Sequence, residues 1–275
     1  MPVAPPQCKV MTQRHRHQGP PHTLYSLMEW RALFEMALLP GSWPLLMQAP
    51  RGDGHPVLLL PGFMADETTL APLRWYLRML GHDVAAWGFG RNVGFQARHA
   101  AALEQKIRHL HHHSGRKVSL VGWSLGGVFS LYGAHQAPEC VRQVITLGSP
   151  ISVDDGGSQS PAVVKALYRL IAHPLGPGVH VAQPRVKKLR QRLLPPVPMS
   201  CLYSLSDGVV PPQEATLDGD PALHENIRVL GSHTGLGVNP MALGIVAARL
   251  AQPDGQWQPF SPQGWAGLLY RRLAA

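Results

Sequence analysis

Hydrophobic residues group into short runs and helical faces that alternate along the chain from His55 onward. Apolar runs bounded by turn residues predict buried strands, and apolar residues recurring every three or four positions predict helices. The predicted strands are Val57–Leu60, Val84–Trp87, Lys117–Val121, Val141–Leu147, Ser200–Ser206 and Ile227–Leu230. The predicted helices are Leu70–Leu80, Ala97–His112, a helix from Leu125 that Pro138 ends, and Met241–Leu250. This alternation predicts an α/β fold, with a mostly parallel central sheet and helices on both faces.

Two segments depart from the alternation and set the predicted domain organisation. Residues 1–22 are rich in Pro, Gln, His and Arg and predict a disordered leader, followed by a single α/β domain over residues 23–275. Residues 151–198 interrupt the strands and predict a small insert or cap. The insert has an apolar helical face that includes Leu167. That face either roofs a site at the sheet edge or packs on the rim of the sheet.

The segment Leu24–Leu39 carries most of its apolar side chains on one predicted helical face. Glu29, Arg31 and Glu35 lie off that face, and Pro40-Gly41 predicts the end of the helix. A helix of this kind usually packs on its own domain, which is the interpretation we favour. Docking on a membrane surface is the alternative.

Composition narrows the class of protein but does not identify a partner. The chain has 275 residues, of which 45% are hydrophobic and 15% charged, so a globular protein is expected. Its net charge of +9 is compatible with an anionic partner, but no nucleic-acid motif accompanies the charge, so no nucleic-acid partner is predicted. A secretory signal and a membrane-spanning apolar stretch are not seen, and the expected location is cytoplasmic. Oligomeric state is left open.

The pentapeptide Gly122-Trp123-Ser124-Leu125-Gly126 is the strongest chemical signal in the chain. It lies between a predicted strand and a predicted helix, which is the setting of a serine on a sharp, strained turn. Glycines two residues before and after the serine relieve the crowding in such a turn. The pattern predicts that Ser124 is a nucleophile exposed at the end of the sheet. An ordinary glycine-rich corner is the alternative.

A serine nucleophile needs a histidine base and an acid that orients it, and in this motif both follow the serine in the chain. His233 follows the last predicted strand and lies between Gly231 and Gly235, so it is the predicted base. Asp207 follows the strand before it and is the predicted acid, with Asp154 as the alternative. The backbone N–H of Leu125 and that of Phe63, with Met64 as second choice, are the predicted oxyanion donors.

The histidine-rich end of the helix Ala97–His112 invites a metal interpretation. The run includes His109, His111, His112 and His113. Neighbouring histidines on one helix point to different sides, and no carboxylate or cysteine spacing completes a site. We therefore predict no metal centre.

Together, the serine turn, Pro61-Gly62-Phe63, Ser206-Asp207-Gly208 and Ser232-His233 make the segment Val57–Leu250 resemble the α/β-hydrolase superfamily, with bacterial lipases and carboxylesterases the most similar. Where that family commonly has His-Gly before the oxyanion donor, this chain has Pro61-Gly62.

The resemblance implies hydrolysis of a small-molecule or lipid ester through an acyl-enzyme, without cofactor or metal. Met64, Trp123 and Leu167 are then predicted to line the acyl pocket. Contact with a membrane or lipid surface is compatible with the sequence but not indicated by it. An acyltransferase or thioesterase acting on an acidic carrier, and a non-catalytic binding protein on the same fold, are the alternatives.

Overall fold

Six parallel strands form one sheet at the centre of the molecule. The computed structural model describes residues 20–94, 97–152, 158–162, 165, 194–261 and 270. The strands are β1 (Pro56–Leu60), β2 (Asp83–Ala85), β3 (Val118–Trp123), β4 (Val141–Leu147), β5 (Met199–Tyr203) and β6 (His224–Arg228). Their order across the sheet is β2-β1-β3-β4-β5-β6, and every neighbouring pair is parallel. The predicted α/β class and parallel sheet are confirmed.

Helices cover both faces of the sheet. They are α1 (Thr23–Leu27), α2 (Ala32–Ala37), α3 (Leu39–Leu46), α4 (Ala71–Met79), α5 (Ala97–Ser114), α6 (Leu125–Gln136), α7 (Pro212–Ala215) and α8 (Pro240–Leu250). Because side chains alternate along a strand, Val57 and Leu59 of β1 pack on the face covered by α3, α4 and α8, and Leu58 and Leu60 pack on the face covered by α5 and α6. Both faces are therefore buried, which explains the continuous apolar strands.

The ends of the last two strands differ from the prediction. Strand β5 stops at Tyr203, three residues before the predicted end at Ser206. The Ser206 N–H donates to the Ser204 hydroxyl (3.2 Å), a local turn that replaces ladder pairing. Strand β6 begins at His224, earlier than the predicted Ile227, because His224 pairs with Met199 across the sheet.

The segment before the sheet overturns the predicted helix Leu24–Leu39. The chain instead forms α1, a 3-10 turn (Glu29–Arg31) and α2, and Pro40 lies in the first turn of α3 rather than ending a helix. A proline is compatible with that position because the first N–H groups of a helix have no intrahelical partner.

The polarity of this segment is the reverse of the one we expected. Its large apolar side chains are exposed, with Leu27 at 76%, and the others are Leu24, Trp30, Leu33, Phe34 and Leu38. Glu35, by contrast, is buried. The favoured interpretation, an apolar face packed on the domain, is therefore wrong for these side chains. The reason is that backbone N–H groups of two loops face the inner side of the segment, and the carboxylates of Glu29 and Glu35 accept their hydrogen bonds.

Most of the predicted leader and most of the predicted insert lie outside the described residues. Within the insert, Ser158 donates to the buried Glu214 carboxylate (2.8 Å), and the Ser152 N–H donates to the Glu214 carbonyl (2.9 Å). The division into leader, domain and cap stays a prediction. Among the described helices, none is long and apolar enough to cross a membrane.

Candidate active site

The predicted site residues follow the carboxyl ends of four strands. Phe63 follows β1, Ser124 follows β3, Asp207 follows β5 and His233 follows β6. Carboxyl ends of parallel strands meet at one edge of a sheet, where ligands bind in open α/β folds. The topology therefore brings residues separated by more than a hundred positions to one edge.

Ser124 has a strained backbone at the start of α6. Its φ of 53° and ψ of −124° lie in a region that side chains rarely adopt. Gly122 and Gly126 make this turn feasible. A Cβ on Gly122 would collide with the backbone of Gly126, and a Cβ on Gly126 would collide with the carbonyl of Leu60 in β1. The glycines of the pentapeptide thus have a steric cause.

The side chains of Ser124, His233 and Asp207 form a continuous hydrogen-bonded chain. The His233 Nε2 lies 2.9 Å from the Ser124 Oγ, and its Nδ1 lies 2.8 Å from the Asp207 Oδ2. Because an ionised carboxylate only accepts, Nδ1 carries the proton and Nε2 is left to accept one from the serine. A serine in such a chain can transfer its proton as it attacks a carbonyl carbon.

The predicted acid, Asp207, is buried and held in place by hydrogen bonds. Asp207 is 2% exposed, and its Oδ1 accepts the N–H groups of Val209 (2.8 Å) and Val210 (2.7 Å). These two bonds leave Oδ2 to face the imidazole. Asp154, the alternative acid, lies outside the described residues.

The predicted oxyanion loop lies against the serine. A Cβ on Gly62 would stand 3.0 Å from the Ser124 Cβ, so Phe63 follows a residue in close contact with the turn. Leu125 is the first residue of α6, where N–H groups have no partner within the helix. The second-choice donor is wrong, because the Met64 N–H donates to the Asn92 carbonyl (2.7 Å).

Comparison with known proteins identifies the fold. No protein-family model matches the chain. A lipase from Bacillus licheniformis, BlEst2 in its mature form, superposes with a TM-score of 0.56 at 19% sequence identity, over 74% of this chain and 95% of that one. The six-stranded parallel sheet of this chain, its strand–serine–helix turn, and the acidic residue and histidine that follow the serine in that order are the pattern of one fold. The chain has the α/β-hydrolase fold.

Two curated relatives match parts of this chain. One is a pimeloyl-[acyl-carrier protein] methyl ester esterase from Aliivibrio fischeri, 27% identical over 110 residues, which are 38% of this chain and 40% of the esterase. The other is the human serine hydrolase BPHL, 32% identical over 123 residues, which are 40% of this chain and 41% of that protein. The chain thus matches about two fifths of the length of these relatives.

The charge environment of His233 favours its protonated form. Burial alone would lower the pKa of His233, but the charge and hydrogen bond of Asp207, and the charge of Glu29, raise it above its usual range. An imidazolium at this position is therefore stabilised. That is the state a base reaches after it takes the serine proton.

The residues predicted to line the acyl pocket differ in how buried they are. Trp123 is only 8% exposed, and its indole N–H donates to the His233 carbonyl (2.9 Å), so it helps to hold the loop that carries His233. Met64 is half-buried with a φ of 63°. Leu167 lies outside the described residues. A pocket-lining role for these three residues stays a prediction.

Sequence reasoning missed two residues that shape this candidate site. Buried Asn92 bonds the predicted oxyanion loop, because its side-chain amide donates to the Pro61 carbonyl (2.8 Å) and its backbone carbonyl accepts the Met64 N–H. Gly148 follows β4 at a φ of 54°, and a Cβ there would lie 2.9 Å from the Asp207 Oδ2 and 3.1 Å from the His233 Nδ1. No local sequence pattern marks either residue.

A cluster of side chains that could bind a metal ion lies at the opposite edge of the sheet, before the amino ends of β1 and β2. Donor atoms of Asp53, His55 and His82 lie within 4.8 Å of one another. However, Asp53 Oδ2 already pairs with Arg116 (2.6 Å) and Arg142 (3.0 Å). Two guanidinium groups on the carboxylate oppose a cation there, so we assign no metal to this cluster.

The glycine at the turn gives a stability prediction. Gly126→Ala should lower the free energy of unfolding by about 1–3 kcal/mol or more, because the new methyl would press on the backbone of β1 rather than on a flexible side chain. Gly41→Ala is the matched control. A Cβ on Gly41, within α3, meets nothing within 4 Å, and the change should stabilise the helix by about 0.5–1 kcal/mol. Urea unfolding of both variants checks this; equal stabilities would contradict the steric account.

Proposed function

We propose that this protein is a serine hydrolase that cleaves carboxylic esters, of the esterase or lipase type. The observation that carries the proposal is the pair of distances from His233, 2.9 Å to the Ser124 hydroxyl and 2.8 Å to the Asp207 carboxylate. The strained serine with glycines two residues before and after it, and the similarity to a methyl ester esterase and a serine hydrolase, support it.

The proposed reaction begins with attack on the ester carbonyl. The Ser124 Oγ forms a bond to the carbonyl carbon while His233 Nε2 takes the hydroxyl proton. The N–H groups of Leu125 and Phe63 stabilise the negative charge that develops on the carbonyl oxygen. His233 then delivers its proton to the leaving alkoxide, and the carbon–oxygen bond breaks. The alcohol departs and an acyl-serine remains.

Water completes the cycle by the same route. His233 takes a proton from the water as its oxygen attacks the acyl carbonyl, and the second tetrahedral intermediate is stabilised by the same two N–H groups. Collapse returns the proton to the Ser124 oxygen and releases the carboxylic acid. Asp207 holds the imidazole with Nδ1–H directed at Oδ2 throughout and stabilises the transient imidazolium.

The test compares matched oxygen esters and thioesters. Aryl esters of increasing acyl length should be hydrolysed to acid and phenol, with oxygen esters turned over at least as well as thioesters of the same acyl group. Preference for short chains would indicate an esterase with a closed pocket, and preference for long chains a lipase. Far faster thioester turnover, or transfer to an added alcohol or thiol in place of water, would overturn ester hydrolysis in favour of a thioesterase or acyltransferase.

A further inference from the structure

One carboxylate from the segment before the sheet bonds both loops that carry the acid and the histidine. The Glu29 Oε1 accepts the N–H of Gly208 (2.8 Å), the residue after Asp207, and the N–H of His233 itself (3.0 Å). Its Oε2 accepts the N–H of Thr234 (2.8 Å). Glu29 is therefore a bridge between the two loops, built from three charge-assisted bonds.

Arg31 and Glu35 extend this bridge. The Arg31 guanidinium donates to the Ser206 carbonyl, to the Ser206 hydroxyl (2.9 Å) and to the Gly231 carbonyl (3.1 Å). Buried Glu35 accepts the Ser232 N–H (2.7 Å) and the side-chain amide of Asn239 (2.8 Å), the residue that caps α8. Arg31 and Glu35 thus bond the loop that carries Asp207, the loop that carries His233, and the cap of α8, the helix that follows.

The glycines around the histidine are explained by the same contacts. A Cβ on Gly231 would lie 2.8 Å from the Glu35 Oε2, and one on Gly235 would collide with that carboxylate. A Cβ on Gly208 would meet the backbone of Tyr25 and Ser26. Both loops are therefore shaped to receive this segment, and its charged side chains lie inward although its apolar ones are exposed.

We propose that Glu29 is a positioning residue that sets the spacing and orientation of the Asp207 and His233 loops, with Arg31 and Glu35 bracing it. The proposal rests on the proposed function, because the geometry it maintains is that of the acid–histidine pair. Glu29 is half-buried, and partial removal of a carboxylate from water is costly unless donors compensate it. Here three backbone N–H groups of the Asp207 and His233 loops are those donors.

Glu29 also acts on His233 through its charge. Burial lowers the pKa of His233, whereas Asp207 and Glu29 raise it. Within the part of the chain that the structure describes, the other charged groups bonded to the loop that carries His233 are Glu35, through Ser232, and Arg31, through Gly231. Because the Glu29 charge favours the imidazolium, removing it should lower the pKa of His233. A residue with a purely structural role would leave that pKa unchanged.

The test variant is Glu29→Gln, with Glu104→Gln as the matched control. Glutamine keeps one acceptor oxygen but loses the charge and the second acceptor. Glu104 is a carboxylate on α5 that pairs with Arg108 (2.9 Å). Glu29→Gln should lower kcat by roughly tenfold to a hundredfold, since small displacements of reacting groups have costs of this size. The acidic limb of kcat/KM should move to lower pH, because the neutral base persists to lower pH.

Two readouts separate positioning from mere folding. A smaller folded fraction would scale the rate equally at all pH values and leave the limb in place. Proton–nitrogen NMR titration of the His233 ring, assigned by comparison with His233→Gln, reads the same pKa without any substrate. It therefore tests the inference even where ester turnover fails, and wild-type turnover tests the proposed function separately.

The expected result is a lower His233 pKa in Glu29→Gln by both readouts, with Glu104→Gln identical to wild type. Glu29→Asp, which keeps the charge but withdraws the carboxylate by one methylene, should lower kcat while keeping the limb much closer to its wild-type position. It also serves if Glu29→Gln does not fold. An unchanged His233 pKa in Glu29→Gln would overturn the proposal. So would a Glu29→Asp protein whose kcat is unaltered while the acidic limb of its kcat/KM profile moves to lower pH.

Discussion

Ser124→Ala should lower kcat for ester hydrolysis by about 10⁴-fold or more while leaving the fold intact. The substitution removes the atom that would bond the acyl carbon. It keeps the Cβ, so the strained φ of 53° has the same steric cost in both proteins, and the Ser124 side chain makes no capping bond to α6. Steady-state hydrolysis of an aryl ester, with circular dichroism for the fold, measures both effects.

Ser114→Ala is the control for this variant. The Ser114 hydroxyl bonds the Leu110 carbonyl (2.7 Å) at the end of α5, on an element that takes no part in the site. Its activity should equal that of the wild type. Wild-type rates in folded Ser124→Ala protein would mean that another group forms the acyl-enzyme or that none is formed.

Asp207→Asn should have the second largest effect, a loss in kcat of about 10⁴-fold. The carbonyl oxygen of the new side-chain amide would take the place of Oδ1, because the N–H groups of Val209 and Val210 require an acceptor there. The amide NH₂ would then face the His233 Nδ1. The ring would have to accept on Nδ1 and carry its proton on Nε2, pointing at Ser124, so it could not act as the base.

The matched control is Asp220→Asn. The Asp220 Oδ1 also accepts a backbone N–H two residues on, that of Ala222 (2.9 Å), but on an exposed turn. Asparagine suits such a turn, so activity and stability should be unchanged. Rates for Asp207→Asn near those of the wild type would show that the imidazole does not depend on this carboxylate.

Much of the fold follows from local sequence. Strands buried on both faces are rich in apolar residues, so β1, a continuous apolar run, and the mostly apolar β3 and β4 are recognisable without tertiary information. The glycines around Ser124 mark the turn because part of the crowding is local: a Cβ on Gly122 would collide with the backbone of Gly126. Given the turn, the parallel topology places the loops after β5 and β6 at the same edge, which makes Asp207 and His233 the natural candidates.

What the sequence could not predict depends on distant partners. The apolar periodicity predicts that Glu29 and Glu35 lie on the solvent face of an amphipathic helix. Periodicity separates the polar face from the apolar face, but it does not show which face packs on the rest of the protein. The carboxylates of Glu29 and Glu35 accept backbone N–H groups that lie about 180 to 205 positions later in the chain. Asn92 was missed for the same reason, since its role depends on where the β1 loop passes.

Covalent labelling with a fluorophosphonate probe, read by peptide mass spectrometry, is the decisive test of Ser124 as an activated nucleophile. We expect one phosphonyl adduct per folded molecule, on the peptide that contains Ser124, with no adduct in Ser124→Ala and much slower labelling in His233→Gln. A folded wild-type protein that stays unlabelled, or that carries its adduct on a different residue, would contradict the assignment of this serine and of the chemistry built on it.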